Sequence, residues 1–284
     1  MAKGNLFLGT AARSVGDVVM YRREGSQVSR VRVRKIANPK TEAQCRQRAY
    51  MAPIPKFFSP LAVVLERSFE GLSKSKSYSK FLKVNADKAR ANDWLLPKGT
   101  GFFPLPYILS QGSLQSVQIL EYDDEIDGNQ IIIPEIGDSF TTIGDASKAF
   151  IAAGYQEGDV VSFIGVSKSF VGDNYVPESF QFILNSTDTT LLTTLGSDTF
   201  KLMHGTSGWY ISSPNGGCEA VSVIVARFEN NKWRRSTQVL VVKESILTTI
   251  DTDAYKAAAI ASYSNTVSDG NPMVYLDGDE LDNA

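Results

Sequence analysis

Apolar and polar residues alternate near the start of this chain and then switch to helical spacing. Residues 15–21 form a short strand-like run, residues 22–26 hold the turn residue Gly25, and residues 27–36 alternate strictly. In that last run Val28, Val31 and Val33 are β-branched, while Arg30, Arg32 and Arg34 recur at period two. Period two puts the three arginines on one face of a strand and Val31 and Val33 on the other, so an N-terminal hairpin with a solvent-facing arginine row is predicted. Residues 38–98 are helical in character. Thr41 is placed to cap a run over 42–50, and Ser59-Pro60 marks the start of a helix carrying Leu61, Val64, Leu65 and Phe69 that ends at Gly71. A third helix is predicted over 77–92, with Phe81, Leu82, Val84, Ala86 and Ala89 on its apolar side.

Residues 100–245 are mainly β in pattern. Strands are predicted over 116–122, 130–134, 160–166, 179–184, 221–228 and 237–242. Turn-forming sets such as Asp127-Gly128-Asn129, Gly172-Asp173-Asn174, Asn215-Gly216-Gly217 and Asn230-Asn231 separate them. One short helix interrupts this region at 145–153, with Asp145 at its start and Gly154 at its end. A last helix is predicted over 253–262, before an acidic tail containing Asp277, Asp279, Glu280 and Asp282. The expected fold class is α+β: a basic N-terminal β-hairpin and helical segment, then an antiparallel β-sandwich or barrel-like domain. The boundaries implied are 1–98, 99–245 and 246–284.

Charge sharpens this division. Of 284 residues, the first hundred hold 20 Lys and Arg against 7 Asp and Glu, whereas the remainder holds 9 against 24. The overall formal charge of −2 conceals the split. Such asymmetry points to an acidic partner for the basic part, either nucleic acid or an acidic protein surface. The candidate partner-binding residues are Arg22, Arg23, Arg30, Arg32, Arg34, Lys35, Lys40, Arg46 and Arg48, with Tyr21 and Tyr50 available for stacking on bases. The competing role for the same charge is self-association, basic arm against acidic β region, giving a homo-oligomer. Apolar runs such as 131–133 and 222–226 fall far short of the roughly 18 residues of a membrane span, so no membrane partner is expected. The N-terminus makes a poor secretory signal, and two cysteines form no disulfide framework, which suits synthesis in the cytoplasm.

Motifs for catalysis are incomplete. Gly4, Gly9 and Thr10 imitate a phosphate-binding loop, but its lysine is missing and no strand precedes it. Asp123, Glu125, Asp127 and Gly128 imitate the start of a calcium loop, but the twelfth position, which needs Glu, is Pro134. A solvated acidic turn explains these residues without a metal. His204 is the only histidine and no G-x-S-x-G elbow surrounds a serine, so a nucleophilic triad has no support. Cys45 and Cys218, with that one histidine, make a poor transition-metal set. A non-enzymatic protein with no cofactor and no metal is expected. An enzyme built on paired carboxylates is the remaining alternative.

Ser14-Val15-Gly16-Asp17-Val18-Val19, the basic residues 30–35 and the segment Asn38-Pro39-Lys40-Thr41-Glu42-Ala43-Gln44, with Arg46 and Arg48 after it, resemble an uncharacterised family of Bacteroidota genomes and gut bacteriophages, microvirus-like phages included. The run from Ala226 through Asn230-Asn231 and Trp233 to Ser236 is similar to that family's C-terminal mark, a strand, a turn and a serine-bearing strand. The Asn-Pro-Lys-Thr-x-x-Gln segment is its specific part. The resemblance implies a phage setting and a non-enzymatic role, in the host cytoplasm or in the virion. Two readings follow: a phage structural or accessory protein docked through its basic arm, or a free nucleic-acid-binding protein that coats or regulates phage DNA.

Overall fold

The structure is a computed structural model that describes residues 13–15, 17–23, 26–32, 40–99, 103–124, 128–133, 141–168, 175–197, 200–205, 208–213 and 216–264. The chain divides into two compact units, Met1–Lys40 with Asn265–Ala284, and Thr41–Ser264. The boundaries drawn from sequence at residues 98 and 245 both run through the second unit.

In the first unit the described residues form a three-stranded antiparallel meander, β1 (Arg13–Val15), β2 (Val18–Arg23) and β3 (Ser26–Val31), in place of a two-stranded hairpin. Strand β3 stops at Val31, and the Arg32 amide closes on the Asp17 carbonyl. Val31 is 73% exposed, so the expected inward packing of this valine does not hold. Val33, Arg34, the glycine pair Gly4 and Gly9, and the acidic tail lie outside the described residues.

The second unit begins with four helices. Thr41 caps α1 (Glu42–Met51), its hydroxyl accepting from the Gln44 amide. Then follow α2 (Pro53–Phe58), α3 (Ala62–Leu65) and α4 (Lys74–Ala91). Ser59 ends α2 instead of starting a helix, because its amide still donates to the Pro55 carbonyl. Phe69 leaves helical geometry to bridge Gln111, and Gly71, at φ +76°, makes the reversal before α4.

The β region follows in the order β4 (Ile108–Ser110), β5 (Leu120–Asp124), β6 (Gly128–Ile132), α5 (Ile143–Ala152), β7 (Val160–Lys168), β8 (Tyr175–Ile183), β9 (Leu202–Gly205), β10 (Gly208–Ser213), β11 (Gly216–Gly217), β12 (Ala220–Glu229), β13 (Lys232–Arg235), β14 (Gln238–Val239) and β15 (Val241–Val242). Helices α6 (Glu244–Ile250) and α7 (Asp253–Ser264) complete the unit. Thr142 caps α5 with Asp145 as the reciprocal partner, a capping box where the sequence suggested Asp145 alone. Sheets run β13-β12-β7-β8 with β15 on β12, β11-β10-β6-β5 with β9 on β10, and a β14-β4 pair. Their strand pairings are antiparallel. The molecule is mixed helix and strand, and no sheet among the described residues closes into a barrel.

Strands β7 and β12 are buried almost end to end. Such near-continuous apolar runs mark a sheet covered on both faces. On one face Ile164, Val166, Ala220 and Ile224 pack with Phe57, Leu65, Phe81 and Leu109 of the helical layer and β4. On the other, Val161, Phe163, Val221, Val223 and Val225 pack with Phe150 of α5 and with Leu202, Trp209 and Ile211 of the second sheet. The basic helices are therefore one wall of the β core. Gly165 keeps the second face close: a Cβ there would stand 2.4 Å from the Phe200 ring and 2.9 Å from the Cys218 sulfur.

Candidate functional site

The nine sequence-predicted residues divide between the two units. Arg22 and Arg23 occupy consecutive positions of β2, paired with Gln27 and Ser26 of β3. Arg30 is exposed and lies across from Val19, on the same sheet face as the Tyr21–Val28 pair. Its guanidinium carbon sits 5.9 Å from the centre of the Tyr21 ring, which is itself 39% exposed. A cation over a phenol face holds both side chains in one arrangement and leaves the guanidinium edge open for oxyanions. Arg32 is exposed just past the strand. Lys40, half-buried, adopts φ +48°. Arg34 and Lys35 lie outside the described residues.

Arg46 and Arg48 belong instead to α1 of the second unit. Arg46 donates through Nε to the Tyr50 hydroxyl at 3.0 Å and through Nη2 to Asp93 at 2.6 Å. Tyr50 donates to the same carboxylate and is buried, which removes it as a base-stacking platform. Hydrogen bonds from Tyr50 and Arg46 hold the Asp93 carboxyl below its ordinary range against the opposing effect of burial. Lys256 of α7 approaches the other Asp93 oxygen at 4.0 Å and pairs with Asp251 at 2.7 Å. This cluster ties α1, the end of α4 and α7 together. Arg48 is half-buried on α1. In the first unit, Arg30 and Arg32 stand exposed.

A second constellation lies in the run 226–236, which the sequence marked through its resemblance and not as a site. Lys232-Trp233-Arg234-Arg235 forms β13, a basic and aromatic run inside the acidic part of the chain, and that contrast was the available signal. Asn230 and Asn231, at φ +50° and +60°, make the two-residue turn that joins it to β12. The turn residues and β13 face the segment 67–73 across a cavity of about 730 Å³. Trp233 also lines a smaller neighbouring cavity of about 160 Å³. Arg235 lines that smaller cavity and stacks over the Trp233 ring at 5.2 Å. Burial lowers the affinity of Arg235 for its proton, with the charge of Arg67 adding to the effect, and its Nε is buried without a hydrogen-bond partner.

The two carboxylates beside the larger cavity are already engaged. Glu70 accepts from the Ser113 amide at 2.8 Å, from the Ser113 hydroxyl and from the Arg235 amide. Burial pushes the Glu70 carboxyl up, but these bonds and the nearby Arg234 charge outweigh it and hold the group below its ordinary range. Glu229 pairs with Arg234 at 3.2 Å.

Elsewhere, Cys45 and Cys218 are buried and form no disulfide. Among the described residues, no group of His, Cys, Asp and Glu is arranged to hold a metal ion, and no helix is long and apolar enough to cross a membrane. No protein-family model, curated protein or solved structure matches this chain.

Proposed function

We propose that this chain is a non-enzymatic phage structural or accessory protein whose basic N-terminal unit docks on nucleic acid. The observation that carries the reading is the Arg30–Tyr21 pair, a guanidinium fixed over an aromatic ring with both groups exposed on an open antiparallel sheet. Arg32 adds a second exposed guanidinium. Arginine forks match phosphate oxygens, and an exposed phenol face offers a stacking surface for a splayed base. The phage setting rests on the resemblance carried by residues 38–44. Within the body we read the β13-β12-β7-β8 sheet and the β10-centred sheet as two layers of a sandwich-like scaffold around one core.

The test is retention of the purified full chain on single-stranded and duplex DNA at low ionic strength. Retention that fades as salt rises supports the proposal, since each neutralised phosphate releases condensed counterions. No retention at low salt rejects it, and salt-sensitive self-association in the same samples then assigns the basic unit to a neighbouring subunit. Mass spectrometry of purified particles decides between a virion component and a free DNA-coating or regulatory protein.

A further inference from the structure

The cavity between residues 67–73 and the β12–β13 turn has no part in the reading above, which concerns the other unit. Its walls combine three chemistries. Trp233 and Leu72 give an apolar, partly aromatic side. Asn230 and Asn231 place two side-chain amides, each both donor and acceptor, at the turn. Arg67 and Lys232 supply positive charge: both are exposed, and among the described residues neither has an ion-pair or hydrogen-bond partner. Glu70 and Glu229 also line the cavity but are turned to other partners, the first to Ser113 and the Arg235 amide and the second to Arg234, so Arg67, Lys232 and Arg234 leave the wall with an excess of positive charge. Half-buried Arg235, stacked on Trp233, adds a further positive charge behind the aromatic wall.

At about 730 Å³ the cavity falls within the range of small-molecule sites, roughly 300–1,000 Å³. A ligand that satisfies these walls needs a planar π face for Trp233, hydrogen-bonding edges for the asparagines and an anionic group for Arg67 and Lys232. We propose that this cavity binds a nucleotide, with the base against Trp233 and Leu72 and the phosphate between Arg67 and Lys232. The helix α4 begins at the same wall: Ser73 at its N-cap makes no side-chain capping bond, and its first turn carries no acidic residue. Its positive end thus adds to the attraction for phosphate already set by the two side chains. The shared chemistry, a base plus a phosphate, belongs equally to a free mononucleotide and to one unit of a single strand.

Isothermal titration calorimetry of the full chain with adenosine monophosphate, a thymidine tetranucleotide and inorganic phosphate tests the proposal. Saturable heat with the mononucleotide identifies a free nucleotide as the ligand, and heat with the tetranucleotide alone identifies a strand in this cavity when it persists in Arg30→Ala and falls in Arg67→Ala; tetranucleotide heat that Arg67→Ala leaves unchanged overturns the assignment. Arg67→Ala and Lys232→Ala are exposed-site changes expected to leave the fold intact, and each should weaken binding about tenfold, as loss of a charge-assisted hydrogen bond does. Trp233→Leu should remove the preference for nucleotide over inorganic phosphate. Leu72→Ala, at an exposed position, tests the same wall without disturbing the Arg235 stack. Equal affinity for phosphate and nucleotide, affinity unchanged in Arg67→Ala, or no heat with either nucleotide overturns the assignment. Arg30→Ala should leave mononucleotide binding unchanged, so failure of the arm reading and failure of this one are separately visible.

Discussion

Arg46 and Asp93 meet across 47 positions of sequence, with a guanidinium nitrogen 2.6 Å from a carboxylate oxygen that also accepts the Tyr50 hydroxyl. A residue counted in the basic face is thereby committed to holding α1 against the end of α4. Its partner also makes this contact sensitive to acid. The Asp93 carboxyl is held low by Tyr50 first and Arg46 second. A depressed folded-state pKa contributes stability above the unfolded value, near 3.9, and that contribution is lost as pH falls through the folded value.

Urea midpoints of the wild type and Asp93→Asn should therefore differ most at neutral pH and converge as pH drops below about 4. Arg46→Ala should reproduce part of the same neutral-pH loss. A gap between wild type and Asp93→Asn that stays constant down to pH 2 would contradict the assignment.

Asp159 and Arg227 form a stronger contact. The carboxylate is 1% exposed and accepts from Nε and Nη2 along one guanidinium edge, at 2.8 and 2.7 Å, while also accepting the Gln156 amide at 2.8 Å. Removing one partner leaves a buried charge unpaired, at a cost of about 3 kcal/mol. Arg227→Ala should lower the melting temperature by roughly 6–12 °C for a unit of this size. Arg227→Lys should recover only part of the loss, since an ammonium cannot bridge both oxygens in the same plane. Thermal scans of the three proteins check this, and a drop under 2 °C for Arg227→Ala would speak against it.

Gly165 should not tolerate a side chain. A Cβ on this β7 position meets the Phe200 ring and the Cys218 sulfur inside a closely packed layer. Gly165→Ala is expected to cost about 1–3 kcal/mol through overpacking. Combining it with Phe200→Leu should cost less than the sum of the two single changes, a coupling that a double-mutant cycle on urea midpoints measures directly.

The two thiols should be silent in the folded protein. Cys45 is fully buried, and burial pushes the Cys218 thiol far above its ordinary value. The thiolate is the reactive form, so both should react with a thiol reagent only as fast as the chain opens. Two thiols titrating at once in native buffer would show that one of these layers opens locally.

Local chemistry made much of the fold legible. The Thr41 cap, the helix stop at Gly154 (φ +106°) and the Asn230-Asn231 turn are written within a few residues each. Ser59-Pro60 suits the end of a helix as well as a start, because the Ser59 amide continues the helical ladder by donating to the Pro55 carbonyl. The apolar runs of β7 and β12 are each broken by one serine, Ser162 and Ser222. Their pattern marked these strands but not their burial on both faces, because which helices cover the second face is a long-range fact that no local pattern encodes. The same limit applies to charge. Composition counted Arg46 with Arg30, yet one is spent on Asp93 and the other is exposed over Tyr21. The β13 run Lys232-Trp233-Arg234-Arg235 was visible as a basic island in acidic surroundings, but the cavity beside it depends on residues 67–73, brought close only by folding.

The last prediction concerns the exposed arginines of the first unit. If Arg30 and Arg32 each neutralise one phosphate, the logarithm of DNA affinity should fall linearly with the logarithm of salt concentration. The slope carries about 0.7–0.9 unit per contact, single strands at the lower end. Arg30→Ala with Arg32→Ala should then flatten the slope by about 1.4–1.8 units. Base preference should change little, because phosphate contacts position a protein without reading sequence. Stability should change by no more than about 0.5 kcal/mol, since both side chains are exposed. Tyr21→Leu separates stacking from charge: it should weaken single-strand binding while leaving the salt slope near the wild-type value, as it removes a base platform and no cation. Filter-binding or fluorescence-anisotropy titrations across a salt series read the wild type and both variants. An unchanged slope in the double arginine variant would move the DNA contact, if the wild type shows one, away from this sheet.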